Sequence, residues 1–278
     1  MGPEIWIVDA FAVHPFGGNP AAVCVLEGAV GDAWRVDLAA EMKHSETAFL
    51  EALDTAGERW RLRWFTPVAE VELCGHATLA SAHVLFSTGR CDPRRELHFE
   101  TRSGLLRARC VGPEIELDFP SKPGRVCAAP AELELVLGTS ASALAPLPLE
   151  ENEWDLLVPL RSEAEVLALA PAFAPMAAWP YRCVIATAPS EHGDHDFVSR
   201  VFAPRFGVDE DPVTGSAHCF LAPHWSARLG KRELRARQAS ARGGELGLAL
   251  DGERVRLRGA CVTILAGRLA IAPAQERA

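Results

Sequence analysis

Two short stretches constrain this chain more than any other: Cys74-Gly75-His76-Ala77-Thr78, and Thr214-Gly215-Ser216-Ala217-His218. Each closes a polar loop, from Phe65-Thr66-Pro67 in the first case and from Phe206-Gly207 through Asp211-Pro212-Val213 in the second. Each then opens an apolar run of helical length. Set against each other they align Cys74 with Thr214, Gly75 with Gly215, His76 with Ser216 and Ala77 with Ala217, as two copies of one device about half a chain apart. A helix start offers backbone N–H groups with no carbonyl in their own helix, together with the positive end of the macrodipole. It is therefore suited to holding a carboxylate or another anion. Two such starts facing each other would make a cleft for a small acidic molecule.

The stretches between them read mostly as strands. Ile5 to Phe11, Ala22 to Leu26, Thr47 to Glu51, Arg59 to Thr66, Glu96 to Thr101, Leu105 to Cys110 and Ile115 to Phe119 carry strand-like apolar patterns, several ending at Gly or Pro. Trp34, Leu38 and Met42 have helical spacing over Asp32 to Met42, with Asp32 placed as the N-cap. Gly75 to Phe86 is almost wholly apolar and predicts a buried helix with a sheet wrapped around it. Three prolines between Pro120 and Pro130 mark a linker. Beyond it come a helix near Ala131 to Leu137, a strand near Trp154 to Val158, a helix near Glu163 to Leu169, and strands near Arg182 to Thr187 and Phe197 to Ala203. The second turn and its helix then run to Leu229, followed by four strands from Leu234 to Ile271. A duplicated lobe is the expectation, with lobes over 1–119 and 120–267 and the segment 268–278 able to pack back on the first.

Bulk composition excludes several classes. With 278 residues, 49% of them apolar and 23% charged, the chain can bury a sizeable core. A net charge of -9 with no Lys/Arg run argues against a nucleic-acid partner. Glu4 and Asp9 interrupt the amino terminus where a signal peptide needs an apolar core, so a cytoplasmic location is expected. The longest apolar stretches, Leu73 to Phe86 and Val166 to Trp179, are too short to span a bilayer, and no membrane partner is implied. The eight cysteines show no Cys-x-x-Cys pair and read as small buried apolar groups, Cys74 excepted. His83, His218 and His224 lack ligand spacing with a carboxylate or thiol, so no metal is expected. Gly17-Gly18 and Gly243-Gly244 are not part of a Gly-x-Gly-x-x-Gly turn, and dinucleotide binding is unsupported.

Five ordered motifs carry a specific resemblance. They are Gly18-Asn19-Pro20-Ala21-Ala22-Val23, Ser45-Glu46-Thr47-Ala48-Phe49, Phe65-Thr66-Pro67 with Cys74-Gly75-His76-Ala77-Thr78, Glu210-Asp211-Pro212-Val213-Thr214-Gly215-Ser216-Ala217, and Gln238-Ala239-Ser240-Ala241-Arg242-Gly243-Gly244. Together they resemble the motif series of the PhzF, or phenazine-biosynthesis-like, isomerase family. The resemblance implies an α+β, diaminopimelate-epimerase-like fold: two pseudo-symmetric lobes, each a mainly antiparallel barrel or half-barrel around a central helix. It further implies an active site between the lobes, a homodimer, and an isomerase that needs no cofactor. In the phenazine pathway such an enzyme moves a hydrogen across the ring of a dihydro-hydroxyanthranilate.

Moving a proton between carbons calls for a general acid/base that titrates near neutrality and for donors that hold the anion. Glu46 precedes an apolar strand, where partial burial would raise its pKa. By resemblance it is the proton-shuttling carboxylate, supported by His76, Asp211 and Ser216. Gly75 and Gly215 let backbone N–H groups approach the substrate, and Asn19 and Thr214 are further candidate contacts. A bell-shaped pH profile is expected of such a group. Blander readings stand beside these. His76 could serve only as a hydrogen-bonding residue at the helix start, Asp211 and Ser216 could simply shape their turn, and Asn19-Pro20 reads first as a turn. One rival function is a racemase or epimerase with opposed cysteines, for which Cys74 occupies one position but Thr214 the other. A second rival is a small-molecule-binding or protein-interaction module on the same fold.

Overall fold

The structure, a computed structural model, describes residues 2–191 and 193–273. Its contacts divide into two compact units, 1–118 with 258–278, and 119–257. The chain thus returns to the first unit at residue 258, earlier than the expected 268. The strand that makes the return is Cys261–Arg268, antiparallel to Glu4–Ala10. Residues 274–278 of the expected returning segment lie outside the described residues.

In the first unit, Glu4–Ala10 lies between that returning strand and Asn19–Leu26. Asn19–Leu26 runs parallel to Thr47–Ala52 after a crossover through the helix Asp32–Met42. Thr47–Ala52 turns back against Arg59–Phe65, which pairs in parallel with Leu97–Thr101 after a second crossover through the helix Gly75–Ser87. Leu97–Thr101, Gly104–Val111 and Glu114–Pro120 close the unit as an antiparallel meander.

The second unit repeats this order of strand pairings and crossovers. Asp155–Pro159 and Cys183–Pro189 are parallel, joined through the short helices Glu163–Leu167 and Phe173–Ala177. Phe197–Phe202 turns back antiparallel, then pairs in parallel with Glu233–Gln238 across the helix Gly215–Leu229. Gly244–Asp251 follows antiparallel. The faint repeat read in the sequence is therefore a repeat of topology, kept although most side chains differ.

The buried helices explain the missing strand alternation. Gly75–Ser87 packs against Glu4–Ala10, Asn19–Leu26, Thr47–Ala52, Gly104–Val111 and Cys261–Arg268. The outer face of the same strands is covered by Asp32–Met42, through Leu38, Ala39 and Trp34 on Cys24, Leu26 and Phe49. Strands buried on both faces read as continuous apolar runs rather than alternating ones. Polar side chains inside the wrapped helix bond back to its own carbonyls. Thr78 Oγ1 donates to Cys74 O at 2.6 Å and Ser81 Oγ to Ala77 O at 2.7 Å. In the second unit Pro223 sits inside its helix and cannot donate to the Cys219 carbonyl. The N–H of Lys122 donates to that oxygen instead, at 2.9 Å.

Local readings need two corrections. Asp32 is the first helical residue rather than the cap; Gly31 takes the cap position, and the Asp32 carboxylate is drawn off by Arg63 and Arg35. Asn19-Pro20 is not a turn but the opening of a strand, with the turn completed at Gly18, which has φ +60. Pro20 stands at the second residue of the strand, opposite Asp9 and ahead of Ala22, where pairing with the second neighbour begins. Among the described residues no helix is long and apolar enough to cross a membrane.

Gly259 tests the packing of the first unit. A Cβ there would overlap the Phe11 ring and sit 3.2 Å from Leu79 Cδ2 on the central helix. Gly259→Ala is expected to lower unfolding stability by about 1–3 kcal/mol through overpacking. Denaturant titration checks this, and an unchanged midpoint would mean that the Phe11 ring can swing aside.

Candidate active site

Ser45 and Glu46 sit immediately before the strand Thr47–Ala52, and Cys74 is the N-cap residue of the central helix in extended conformation. Parallel pairing of Thr47 with Ala22 and antiparallel pairing with Phe65 fix where that strand begins. The helix start then brings Cys74 and His76 onto the Glu46 carboxyl. His76 Nε2 lies 3.4 Å from Glu46 Oε2 and 3.5 Å from Ser45 Oγ. Cys74 Sγ lies 3.6 Å from His76 Nδ1 and 4.0 Å from Nε2. Ligand atoms of Glu46, Cys74 and His76 all fall within 4.8 Å of one another, the one such set of metal-capable side chains among the described residues.

Burial pushes the Glu46 carboxyl above its ordinary pKa, and hydrogen bonds from Ser45 and Cys74 only partly oppose this. Its side chain is 20% exposed, and Oε2 is buried with no hydrogen bond. The contrast with other buried carboxylates is informative. Asp155 is forked by Arg182, Glu116 by Arg109 and Arg258, Glu163 is met by Arg237, and Glu70 by Arg63 and Arg102. No Lys or Arg is among the groups that shift Glu46. A carboxyl desolvated without a cation holds its proton more readily than an ordinary one, a shift in the direction that suits an acid/base group.

The second helix start is built differently. Thr214 is its N-cap residue, and its hydroxyl donates to Asp211 Oδ2 at 2.5 Å. The Thr214 N–H donates to Gln238 Oε1 at 2.8 Å, while Gln238 Nε2 donates to Asp211 O at 2.7 Å and to Thr214 Oγ1 at 3.2 Å. Ser240 Oγ donates to Pro212 O, and Asp211 N–H to Val201 O. Fully buried Gln238 thus ties the loop Asp211–Thr214 to the neighbouring strand. Gly215 is buried at the first helical position and Ser216 is half-buried beside it. Asn19, also buried, stands at the head of its strand across from Ala10.

Of the residues singled out in the sequence, Glu46, His76 and Gly75 come together in the first unit. Asp211, Thr214, Gly215 and Ser216 come together in the second. Cys74, set apart in the sequence from the other cysteines, belongs to the Glu46 cluster. Ser45 and Gln238 had no assigned role; their only sequence signal was membership of the motifs that carry Glu46 and Ser240. The three histidines weighed as ligands have other partners. His83 Nε2 meets Thr263 Oγ1 at 2.9 Å, His218 Nδ1 meets Thr214 O at 2.8 Å, and His224 Nδ1 meets Glu150 Oε1 at 3.1 Å. Burial lowers the pKa of all three, to about 4 for His218 and His224.

A family model described as phenazine biosynthesis-like protein, PhzC-PhzF, matches residues 8–267. The chain belongs to the PhzF family. A PhzF-like protein from Pseudomonas aeruginosa, described as an uncharacterized isomerase, is 48% identical over 97% of this chain and 99% of its own length. The crystal structure of a PhzF-family phenazine biosynthesis protein from Enterococcus faecalis superposes with a TM-score of 0.90 at 38% identity, covering 98% of this chain and all of that one. A probable proline racemase from Agrobacterium radiobacter shares the fold at 13% identity and TM-score 0.63, over 98% of this chain and 94% of that one. The α+β fold is therefore common to PhzF proteins and to racemase-type enzymes.

Two substitutions read these environments separately. Because the folded protein raises the Glu46 pKa, it binds that proton more tightly than the unfolded chain does. Stability therefore falls as pH rises from the unfolded value, about 4.3, through the raised folded value. Glu46→Gln removes the cost of a buried carboxylate, so its Tm is expected to exceed the wild-type Tm at pH 8 and to converge with it at about pH 4. Equal Tm values at every pH would remove the desolvation argument. Gln238→Leu strips partners from the Thr214 N–H and the Asp211 carbonyl and is expected to cost about 2 kcal/mol or more by denaturant unfolding.

Proposed function

We propose that this PhzF-family protein is a cofactor-independent isomerase that moves a proton between two carbons of a small cyclic or unsaturated amino or hydroxy acid, with Glu46 as general acid/base. The observation that carries the reading is a desolvated carboxyl without an arginine, set against His76 and Cys74 at a helix start. As carboxylate, Glu46 takes the proton from the substrate carbon. As carboxylic acid, it returns that proton at the second carbon. His76 and the donors Ser45 and Cys74 hold the carboxyl in place through both states. The positive end of the central helix favours the negative charge that develops on the substrate as its C–H proton leaves.

In the same reading Asp211, Ser216 and the glycine turn at Gly215 orient the substrate's polar groups, with Asn19 as a further contact. Thr214 takes the smaller part, because both its hydroxyl and its N–H are engaged within the loop. That engagement also weighs against a two-cysteine racemase. The residue aligned with Cys74 is a hydroxyl already donated to a carboxylate, and it is far too weak an acid to act as an opposing thiolate.

The test is carbon-bound hydrogen exchange in D₂O, followed by NMR over a panel of small cyclic and unsaturated amino and hydroxy acids that includes dihydro-hydroxyanthranilate. Wild-type protein should place deuterium at the carbon that gains a proton. Glu46→Gln should lose about 100-fold or more of that rate while ligand affinity survives. Exchange at the wild-type rate in Glu46→Gln would refute the assignment of Glu46. Binding without exchange in the wild type would favour the non-catalytic module.

A further inference from the structure

We propose that Glu46, Cys74 and His76 form a binding site for a single thiophilic divalent ion of the Zn²⁺ type, and that the ion and the proton-transfer role of Glu46 exclude each other. The donor set is one thiol, one imidazole nitrogen and one carboxylate oxygen, all within 4.8 Å. A tetrahedral ion about 2.0–2.3 Å from such ligands spaces them about 3.3–3.6 Å apart. His76 Nε2 already lies 3.4 Å from Glu46 Oε2, and Cys74 Sγ lies 4.0 Å from the same nitrogen. A small rotation of the Cys74 side chain would close the remaining gap. Three protein ligands leave the fourth position for water or an anion, the arrangement of open zinc sites.

Charge points the same way. Binding takes the proton from the Cys74 thiol, and from Glu46 wherever it is protonated, and releases both to solvent. Thiolate and carboxylate then neutralise the dication, so the occupied site carries no net charge into a desolvated region. The dipole at this helix start opposes a bare cation, and two anionic ligands outweigh it. Sulfur and imidazole donors select zinc, cobalt or copper over magnesium and calcium. Oε2 of Glu46, buried and without a hydrogen bond, is the atom a metal would take. Four of the seven remaining thiols are poor competitors. Cys24, Cys219 and Cys261 are pushed up to about 12 and Cys183 is pushed up further, all chiefly by burial.

The chelator-stripped full chain, titrated with Co²⁺ as the spectroscopic probe, should develop a thiolate-to-cobalt charge-transfer band that saturates at one ion per chain. Zn²⁺ should bleach the band, and Mg²⁺ in large excess should not. Cys74→Ser should abolish it, while Glu46→Gln and His76→Asn should each weaken cobalt binding ~10-fold or more. A wild-type protein without the band overturns the proposal, as does a band that persists in folded Cys74→Ser. If Cys74→Ser does not fold by circular dichroism, the other two variants decide, and cobalt affinity unchanged in both overturns it. The readout is optical and needs no turnover, so its outcome stands apart from that of the isomerase assay.

Discussion

A carboxyl group taken out of water without a cation to meet it is the constraint around which the first unit is organised. At other buried carboxylates the chain aims an arginine, Arg182 at Asp155 and Arg258 and Arg109 at Glu116. Around Glu46 it supplies only a serine, a thiol and an imidazole. Desolvation raises the carboxyl pKa; an arginine would have held it down. The chain carries 28 basic residues, so leaving Glu46 without one is consistent with a group that must change protonation state.

That position depends on the wrapped helix. Gly75–Ser87 is a crossover between two parallel strands, and its start must lie at the strand ends of the same unit. Of its polar residues after the first turn, Thr78 and Ser81 bond inward to their own backbone, and His83 meets Thr263 on the returning strand. The first two therefore make no demand on the surrounding apolar strands, and His83 is met by a hydroxyl where it reaches one. The first turn alone keeps backbone N–H groups to offer. The enclosed helix and the thiol and imidazole beside Glu46 come from one sequence run, Cys74 to Leu85.

Much of this was legible in the amino-acid order, for identifiable reasons. Strand and helix positions followed from apolar periodicity and from Gly and Pro punctuation, and the repeat from the matched turns at Cys74 and Thr214. Glu46 stood out chiefly through the resemblance carried by Ser45-Glu46-Thr47-Ala48-Phe49, with its place ahead of an apolar strand as a second hint. What stayed hidden is non-local. Asp32 has the residue type of a cap, but Arg63, in a strand brought alongside by pairing, takes its carboxylate. The return of Cys261–Arg268 to Glu4–Ala10 is a pairing between the two ends of the chain that no local pattern records. Cys74 and Gln238 acquire their roles only when Glu46 and the Asp211–Thr214 loop arrive beside them.

The two helix starts, alike in sequence, have diverged in physical character. At the second, Thr214 and Gln238 satisfy the loop internally, with the threonine N–H and hydroxyl and the Asp211 carbonyl all bonded within it. Such a turn is rigid and unreactive, which suits a surface that holds a ligand in one orientation. At the first, Cys74 and His76 face a carboxyl held above its ordinary pKa. The aligned pair Cys74 and Thr214 carries the difference: a thiol stands beside the His76 ring and the Glu46 carboxyl, whereas a hydroxyl beside Asp211 and Gln238 is drawn into the frame.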